Sequence, residues 1–423
     1  MLFLTLVTVV TVIRLWLNQR QIRAVQQHRE AVPRAFRDAI SLQAHQKAAD
    51  YTCAKARLAR WEILFDALLV LGWSIGGGLQ RLSELVSGLG LPSLTDGVVL
   101  ILLFGLISSL LSAPFSLYRQ FVIEARFGFN RTTIATLIAD TLKGLALTLI
   151  LATPLLYVIL WLLEAAGTYW WFYAWLAFFG FSILISWVYP TLIAPLFNRF
   201  TPLEDESLKT AIEQLLDHAG FTSKGIFVMD GSRRSSHGNA YFTGLGKNKR
   251  IVFFDTLLDG LAREQIIAVL AHELGHFKHH HVLKGLLLSA ITSLAGFALL
   301  AWLLPQTAFY QALGVTTPSP ATGLILFSIV VPLVMFFVSP LFAWLSRQHE
   351  FEADAYAASQ ASAKALITAL VTMYKDNAST LTPDRLHSLF YDSHPPAAIR
   401  IARLQELQRR TVDESTNRQA TAA

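Results

Sequence analysis

Apolar residues in this chain come in long unbroken blocks rather than amphipathic stripes. Seven blocks approach the roughly 17 to 25 residues a helix needs to cross a bilayer's hydrocarbon core. They cover residues 2–17, 63–79, 97–113, 144–163, 169–188, 285–304 and 323–345. Two carry an interrupting charge, Arg14 in the first and Asp66 in the second. The first block lacks the basic leader and small-residue cleavage site of a secretory signal, so it reads as a retained anchor. Asp66 lies near the basic end of its span, which leaves open a functional role and an interior-facing or snorkelling structural one.

The polar connections set an orientation. After the first span come Arg20, Arg23, Arg29, Arg34, Arg37, Lys47, Lys55, Arg57 and Arg60, and after the third come Arg119, Arg126, Arg131 and Lys143. The connections after the second, fourth and sixth spans hold only Arg81. Basic loops stay cytoplasmic, so the N-terminus is expected outside and the C-terminus inside. Four regions follow: membrane helices one to five with basic cytoplasmic loops in 1–188, a polar region in 189–284, helices six and seven in 285–345, and a second polar region in 346–423. Both polar regions fall on the cytoplasmic side, where they can assemble into one α+β domain on the all-α membrane part. Within them the periodicity predicts a helix at 208–219, a strand at 225–229, a hairpin of strands 239–243 and 250–255 around 244–249, and a helix at 263–280. The tail 411–423 is polar enough to be disordered.

Composition agrees with the spans: 53% of residues are hydrophobic and only 15% charged, against about 25% charged in soluble domains. The net charge of +6 is explained by the cytoplasmic loops, and no nucleic-acid partner is expected. A lone cysteine, Cys53, excludes an internal disulfide framework and a cysteine-based zinc site.

The chemistry concentrates at His272-Glu273-Leu274-Gly275-His276. Two histidines four apart on a helix project from one face, so both imidazoles can bind one tetrahedral zinc, with Glu273 beside them to act on bound water. A third ligand must come from elsewhere. Glu350 and Asp354 share a helical face just beyond the last span, so one can bind metal while the other hydrogen-bonds a ligand histidine. Glu352 is rotated about 200° from Glu350 and is expected to leave the site unaffected. Consecutive helical residues point about 100° apart, so His279-His280-His281 reads as a basic collar at the membrane interface, and His349 points away from Glu350.

Several motifs together resemble the integral-membrane CAAX prenyl protease family, the zinc-dependent a-factor-converting type. They are Glu124 with Phe127-Gly128-Phe129-Asn130, the run from Pro195 to Leu203, Asn239-Ala240-Tyr241-Phe242, the histidine motif, Glu350 with Asp354, and His394-Pro395 with Arg400. The resemblance implies seven membrane helices around a chamber, with a cytoplasmic zincin-like catalytic domain. It assigns zinc to His272, His276 and Glu350, with Asp354 as the partner of a ligand, and makes Glu273 the general base. His394 and Arg400 become substrate or transition-state contacts. Asn239, Ala240 and Tyr241 become part of an edge strand that pairs with extended substrate.

The expected activity is zinc-dependent hydrolysis of peptide bonds in peptide or protein substrates at the lipid bilayer, prenylated proteins among the candidates. The sequence does not set the oligomeric state. A short outward loop and an end in Ala-Thr-Ala-Ala, without a retrieval signal, read as a prokaryotic member in a bacterial cytoplasmic membrane, the endoplasmic reticulum being the alternative. Quality-control cleavage, as in heat-shock-type membrane metalloproteases, is the competing enzymatic task. A transporter with structural zinc is the competing class, but a structural site has no use for Glu273 as a base.

Overall fold

The structure is a computed structural model that describes the chain except Thr222, residues 244–249 and Ala423, and except the side chains of Thr243 and residues 411–422. The turn expected at 244–249 therefore lies outside the described residues.

Among the described residues, six helices are long and apolar enough to cross a membrane: Leu2–Gln27, Ser93–Glu124, Ile134–Ala165, Gly167–Phe197, His281–Leu303 and Pro320–Gln360. A seventh crossing results if Leu42–Trp73 and Gly78–Ser87, bent by 50°, count as one. The second block read from sequence thus breaks where Gly77 adopts a left-handed φ of 76°, a conformation open to glycine. The charges that interrupt the first two spans meet each other: Arg14 lies 3.4 Å from Asp66. Both line a cavity of about 390 Å³ with Asn18, Glu62 and Tyr391, so Asp66 is paired within the bundle.

Pro320–Gln360 is one helix of 41 residues. At 1.5 Å per residue it is about 60 Å long, roughly twice the hydrocarbon core. Its far half therefore continues beyond the bilayer as a rigid arm. Ser319 caps its start by accepting from the amide of Thr322 at 3.1 Å. An apolar cluster that includes Leu79, Leu100, Tyr310, Val315 and Ile325 ties this start to the short helices Gly78–Ser87 and Thr307–Ala312.

The polar regions build a four-stranded mixed sheet: β1 (Phe200–Pro202), β2 (Ile226–Met229), β3 (Ala240–Thr243) and β4 (Arg250–Phe254), in the order β1-β2-β4-β3. β2 and β4 run parallel, and β3 pairs antiparallel with β4, Ala240 opposite Phe253. The sequence reading missed β1, a three-residue edge strand ending in Pro202, where proline's missing donor is tolerated. One core joins both polar regions: Ile212, Phe253, Leu270 and Leu274 from the first pack with Ala357, Leu366 and Leu404 from the second. The last helix runs Ala397–Ala422, where a disordered tail was expected. Residues 411–422 contain neither glycine nor proline, so no strong helix breaker stops the helix that Ala397 begins.

Candidate metal centre

The helix Arg263–Lys278 carries His272, Glu273 and His276. Gln265 reaches back to accept from the amide of Ala262 at 2.8 Å, closing the first turn. Gly275 lets this helix pass so close to the 41-residue helix that a Cβ there would lie 2.8 Å from the Cα of Ala353. That approach brings Glu350 to the histidines.

His272 Nε2 lies 3.3 Å from His276 Nε2 and 3.5 Å from Glu350 Oε2, and His276 Nε2 lies 3.4 Å from Glu350 Oε1. These three residues form the one cluster of candidate metal ligands found among the described residues. Two imidazoles and a carboxylate suit zinc. Ligand bonds of 2.0–2.1 Å in a tetrahedron imply edges of about 3.3 Å, the separation of the two Nε2 atoms, and each of them has one oxygen of the Glu350 carboxylate at a similar distance. Glu350 Oε2 is buried and accepts no hydrogen bond, the condition of a donor aimed at a cation. The residues fit the group.

Behind His272, its Nδ1 meets Asp354 Oδ1 at 2.9 Å. Asp354 in turn accepts a bidentate pair from Arg400, Nε at 2.9 Å and Nη2 at 2.6 Å. Arg400 is only 5% exposed, and its Nη1 faces Glu350 Oε2 at 3.4 Å. The guanidinium thus lies within the cluster and also borders the adjoining cavity. That cavity, about 340 Å³, is lined by Asn239, His272, Glu273, Glu350, His394 and Arg400, with Leu366, Leu370, Met373 and Tyr374 as apolar wall. His394 Nε2 lies 3.4 Å from Glu350 Oε1. Burial pushes the Glu273 carboxyl above its ordinary pKa, against the nearby histidines, toward the range of a general base. β3 is an edge of the sheet, and the carbonyl of Asn239 accepts from the amide of Phe254 at 3.0 Å.

Two networks of contacts were not visible in the sequence pattern. His281 is 6% exposed rather than part of an exposed collar. The helix stops at Lys278, His280 takes a left-handed φ of 56°, and a new helix starts at His281. The 100° rule for consecutive residues fails across that break. His281 turns back to put Nδ1 2.9 Å from His276 Nδ1 and Nε2 2.8 Å from Glu352 Oε2. Glu352 does point away from Glu350, yet it connects with the site through His281. His349 stacks on His281 at 4.0 Å. The second network anchors the chain leading to β3. His237 lies 3.1 Å from Asn377 Oδ1 and 3.4 Å from Glu124 Oε2, and Tyr51 donates to Glu124 Oε1 at 2.5 Å. Glu124 ends a π-helical turn, Arg119–Glu124, an irregularity frequent at functional sites. Arg234 binds Asp140, Asn198 and the carbonyl of Phe197, which gives motif residue Asn198 a physical task.

Comparison with known proteins gives two family matches: the CAAX prenyl protease N-terminal region of five membrane helices over residues 21–199, and peptidase family M48 over 202–408. The CAAX prenyl protease 1 homolog of Arabidopsis thaliana is 38% identical, covering 82% of each chain. CAAX prenyl protease 1 of Saccharomyces cerevisiae is 34% identical over 88% of each chain. The human CAAX prenyl protease 1 homolog is 32% identical over 93% of this chain and 92% of its own. The crystal structure of S. mikatae Ste24p superposes with a TM-score of 0.90 at 31% identity, covering 95% of this chain and 98% of that one.

Proposed function

Since the chain belongs to peptidase family M48 and to its CAAX prenyl protease group, a multi-pass membrane metallopeptidase acting on peptide or protein substrates, we propose how its residues divide the work. His272, His276 and Glu350 hold zinc, Asp354 positions His272, and Glu273 is the general base. The observation that carries this reading is the convergence of His272 Nε2 and His276 Nε2, 3.3 Å apart, on the Glu350 carboxylate, whose Oε2 lies 3.5 Å from the first and Oε1 3.4 Å from the second, with Glu273 lining the same cavity.

Zinc bound there supplies a Lewis acid that polarises the scissile carbonyl and acidifies water. Glu273 takes the proton of the attacking water and hands it to the leaving amine. His394, open to the cavity, donates to the developing oxyanion. Arg400 locks Asp354 and presents Nη1 to the cavity for contact with substrate. Along the β3 edge Asn239 and Tyr241 turn their backbone groups to β4, and the carbonyl of Ala240 between them faces outward, where an extended peptide can add a strand whatever its side chains. Residues 189–284 and 346–423 act as one catalytic unit divided by two membrane helices, and the charge pattern of the loops supports its cytoplasmic placement.

The proposed substrate class is a C-terminal peptide bearing a prenylated cysteine. Purified protein in proteoliposomes should cleave a farnesylated CAAX peptide faster than its unmodified form. A strong chelator should abolish cleavage of both, and low zinc should restore it. Equal rates on the two peptides would remove the prenyl requirement and favour quality-control cleavage. Full activity in verified metal-free protein would refute the zinc assignment.

A further inference from the structure

We propose that His281 and Glu352 form a hydrogen-bonded relay that holds His276 in the tautomer and orientation metal binding requires. Both are then positioning residues of the centre. The inference rests on the zinc site proposed above.

His276 turns Nε2 to the metal position, 3.3 Å from His272 Nε2 and 3.4 Å from Glu350 Oε1. A neutral imidazole that ligates through Nε2 carries its proton on Nδ1 and needs an acceptor there. For His272 that acceptor is a carboxylate, Asp354 at 2.9 Å. For His276 it is another imidazole, His281 Nδ1 at 2.9 Å. An imidazole nitrogen accepts only when unprotonated, so the proton of His281 must sit on Nε2. There it donates to Glu352 Oε2 at 2.8 Å. Donors and acceptors match along the whole chain in one direction only. In the opposite arrangement His281 Nδ1–H faces His276 Nδ1, and the proton of His276 moves to Nε2, where the metal must bind.

The surroundings hold the relay in place. His281 is 6% exposed and packed under the ring of His349, nearly parallel at 4.0 Å. The left-handed φ of 56° at His280, strained for a non-glycine residue, is what returns His281 to His276. The Glu352 side chain is 44% exposed. Water can replace part of its contribution, so Glu352 matters less than His281.

Zinc affinity of full-length protein in detergent, measured by chelator competition, tests the relay, with the visible spectrum of the Co²⁺-loaded form as a second readout. His281→Phe keeps the stacked ring and removes the acceptor, and it should weaken zinc roughly 10- to 100-fold and alter the cobalt spectrum. His281→Asn returns an acceptor oxygen and should recover affinity to within about threefold of wild type. Glu352→Gln, whose amide oxygen still accepts, should bind like wild type, whereas Glu352→Leu should fall between wild type and His281→Phe. Wild-type affinity in a folded His281→Phe overturns the proposal, as does equal loss in His281→Phe and His281→Asn, which would mean packing alone. If His281→Phe fails to fold, a difference between Glu352→Leu and Glu352→Gln supports the relay and equality refutes it. His276→Ala separates the two readings: unchanged zinc there refutes the metal site itself, while lost zinc there with no effect at His281 refutes only the relay.

Discussion

Gly275→Ala tests whether the metal site depends on how closely two helices approach. The added Cβ would lie 2.8 Å from the Cα of Ala353, 3.0 Å from its carbonyl oxygen and 3.2 Å from its Cβ. None of these atoms belongs to a flexible side chain, so nothing can swing aside. Carbon atoms pack at about 3.5–4.0 Å, so the 41-residue helix must withdraw by roughly 1 Å near Ala353. Asp354 is the next residue, and Glu350 lies three positions before. The edges joining Glu350 to the histidines, 3.4 and 3.5 Å, would lengthen, whereas metal–ligand distances tolerate only about 0.2 Å. Without zinc the helices are free to separate, so the strain falls mainly on the zinc-bound state. Overpacking of this kind costs about 1–3 kcal/mol, which corresponds to roughly 5- to 150-fold weaker zinc binding. Chelator competition measures it, and the thermal midpoint of the metal-free protein should move little, since alanine also gains about 1 kcal/mol of helix propensity. Gly285→Ala and Gly296→Ala, where an added Cβ meets nothing within 4 Å, should leave zinc affinity unchanged. A folded Gly275→Ala protein with wild-type affinity would refute the close-approach argument.

Glu273→Gln should keep about one zinc per chain by metal analysis while losing most turnover, because the substitution removes the base and no ligand; wild-type turnover would assign the base elsewhere. Zinc affinity should rise with pH up to about 9: burial lowers the His272 pKa, but the bonds to Asp354 and Glu350 outweigh it and raise it from 6.5 to about 9, so at neutral pH zinc must displace a proton, visible as release into weak buffer. By the same sign, protonated His272 stabilises the metal-free fold below pH 6.5, and this contribution disappears as pH rises through 9, which metal-free unfolding midpoints should follow. Asp384→Ala removes a bidentate pair with Arg20 at 2.9 and 3.1 Å and the cap on the amides of Leu386 and His387, and it should destabilise the protein by about 2 kcal/mol in denaturant unfolding. Single cysteines near Ser87 and Pro318 in a Cys53-free background should label from outside and one near Arg34 only from the cytoplasm; the reverse would invert the topology.

Membrane spans and the histidine pair were legible in the sequence because both are local. A long apolar run has few alternatives to a membrane helix, and a spacing of four places two side chains on one helical face wherever the helix lies. The helix carrying them, the hairpin strands and the helix near 208–219 were readable for the same reason. Between Glu350 and Asp354 the local pattern allowed either as ligand, and the resemblance implied Glu350. The structure turns Glu350 to both Nε2 atoms and Asp354 to His272 Nδ1, a division that depends on where another helix passes. Tertiary structure also decided that Arg14 meets Asp66 and that Arg400 is buried on Asp354. It likewise decided that His281 leaves the surface to support His276. The last hinges on a left-handed φ at His280, which a histidine does not announce as a glycine would. Periodicity carries information only within an unbroken element, whereas contacts across a helix break or between helices distant in sequence are set by packing.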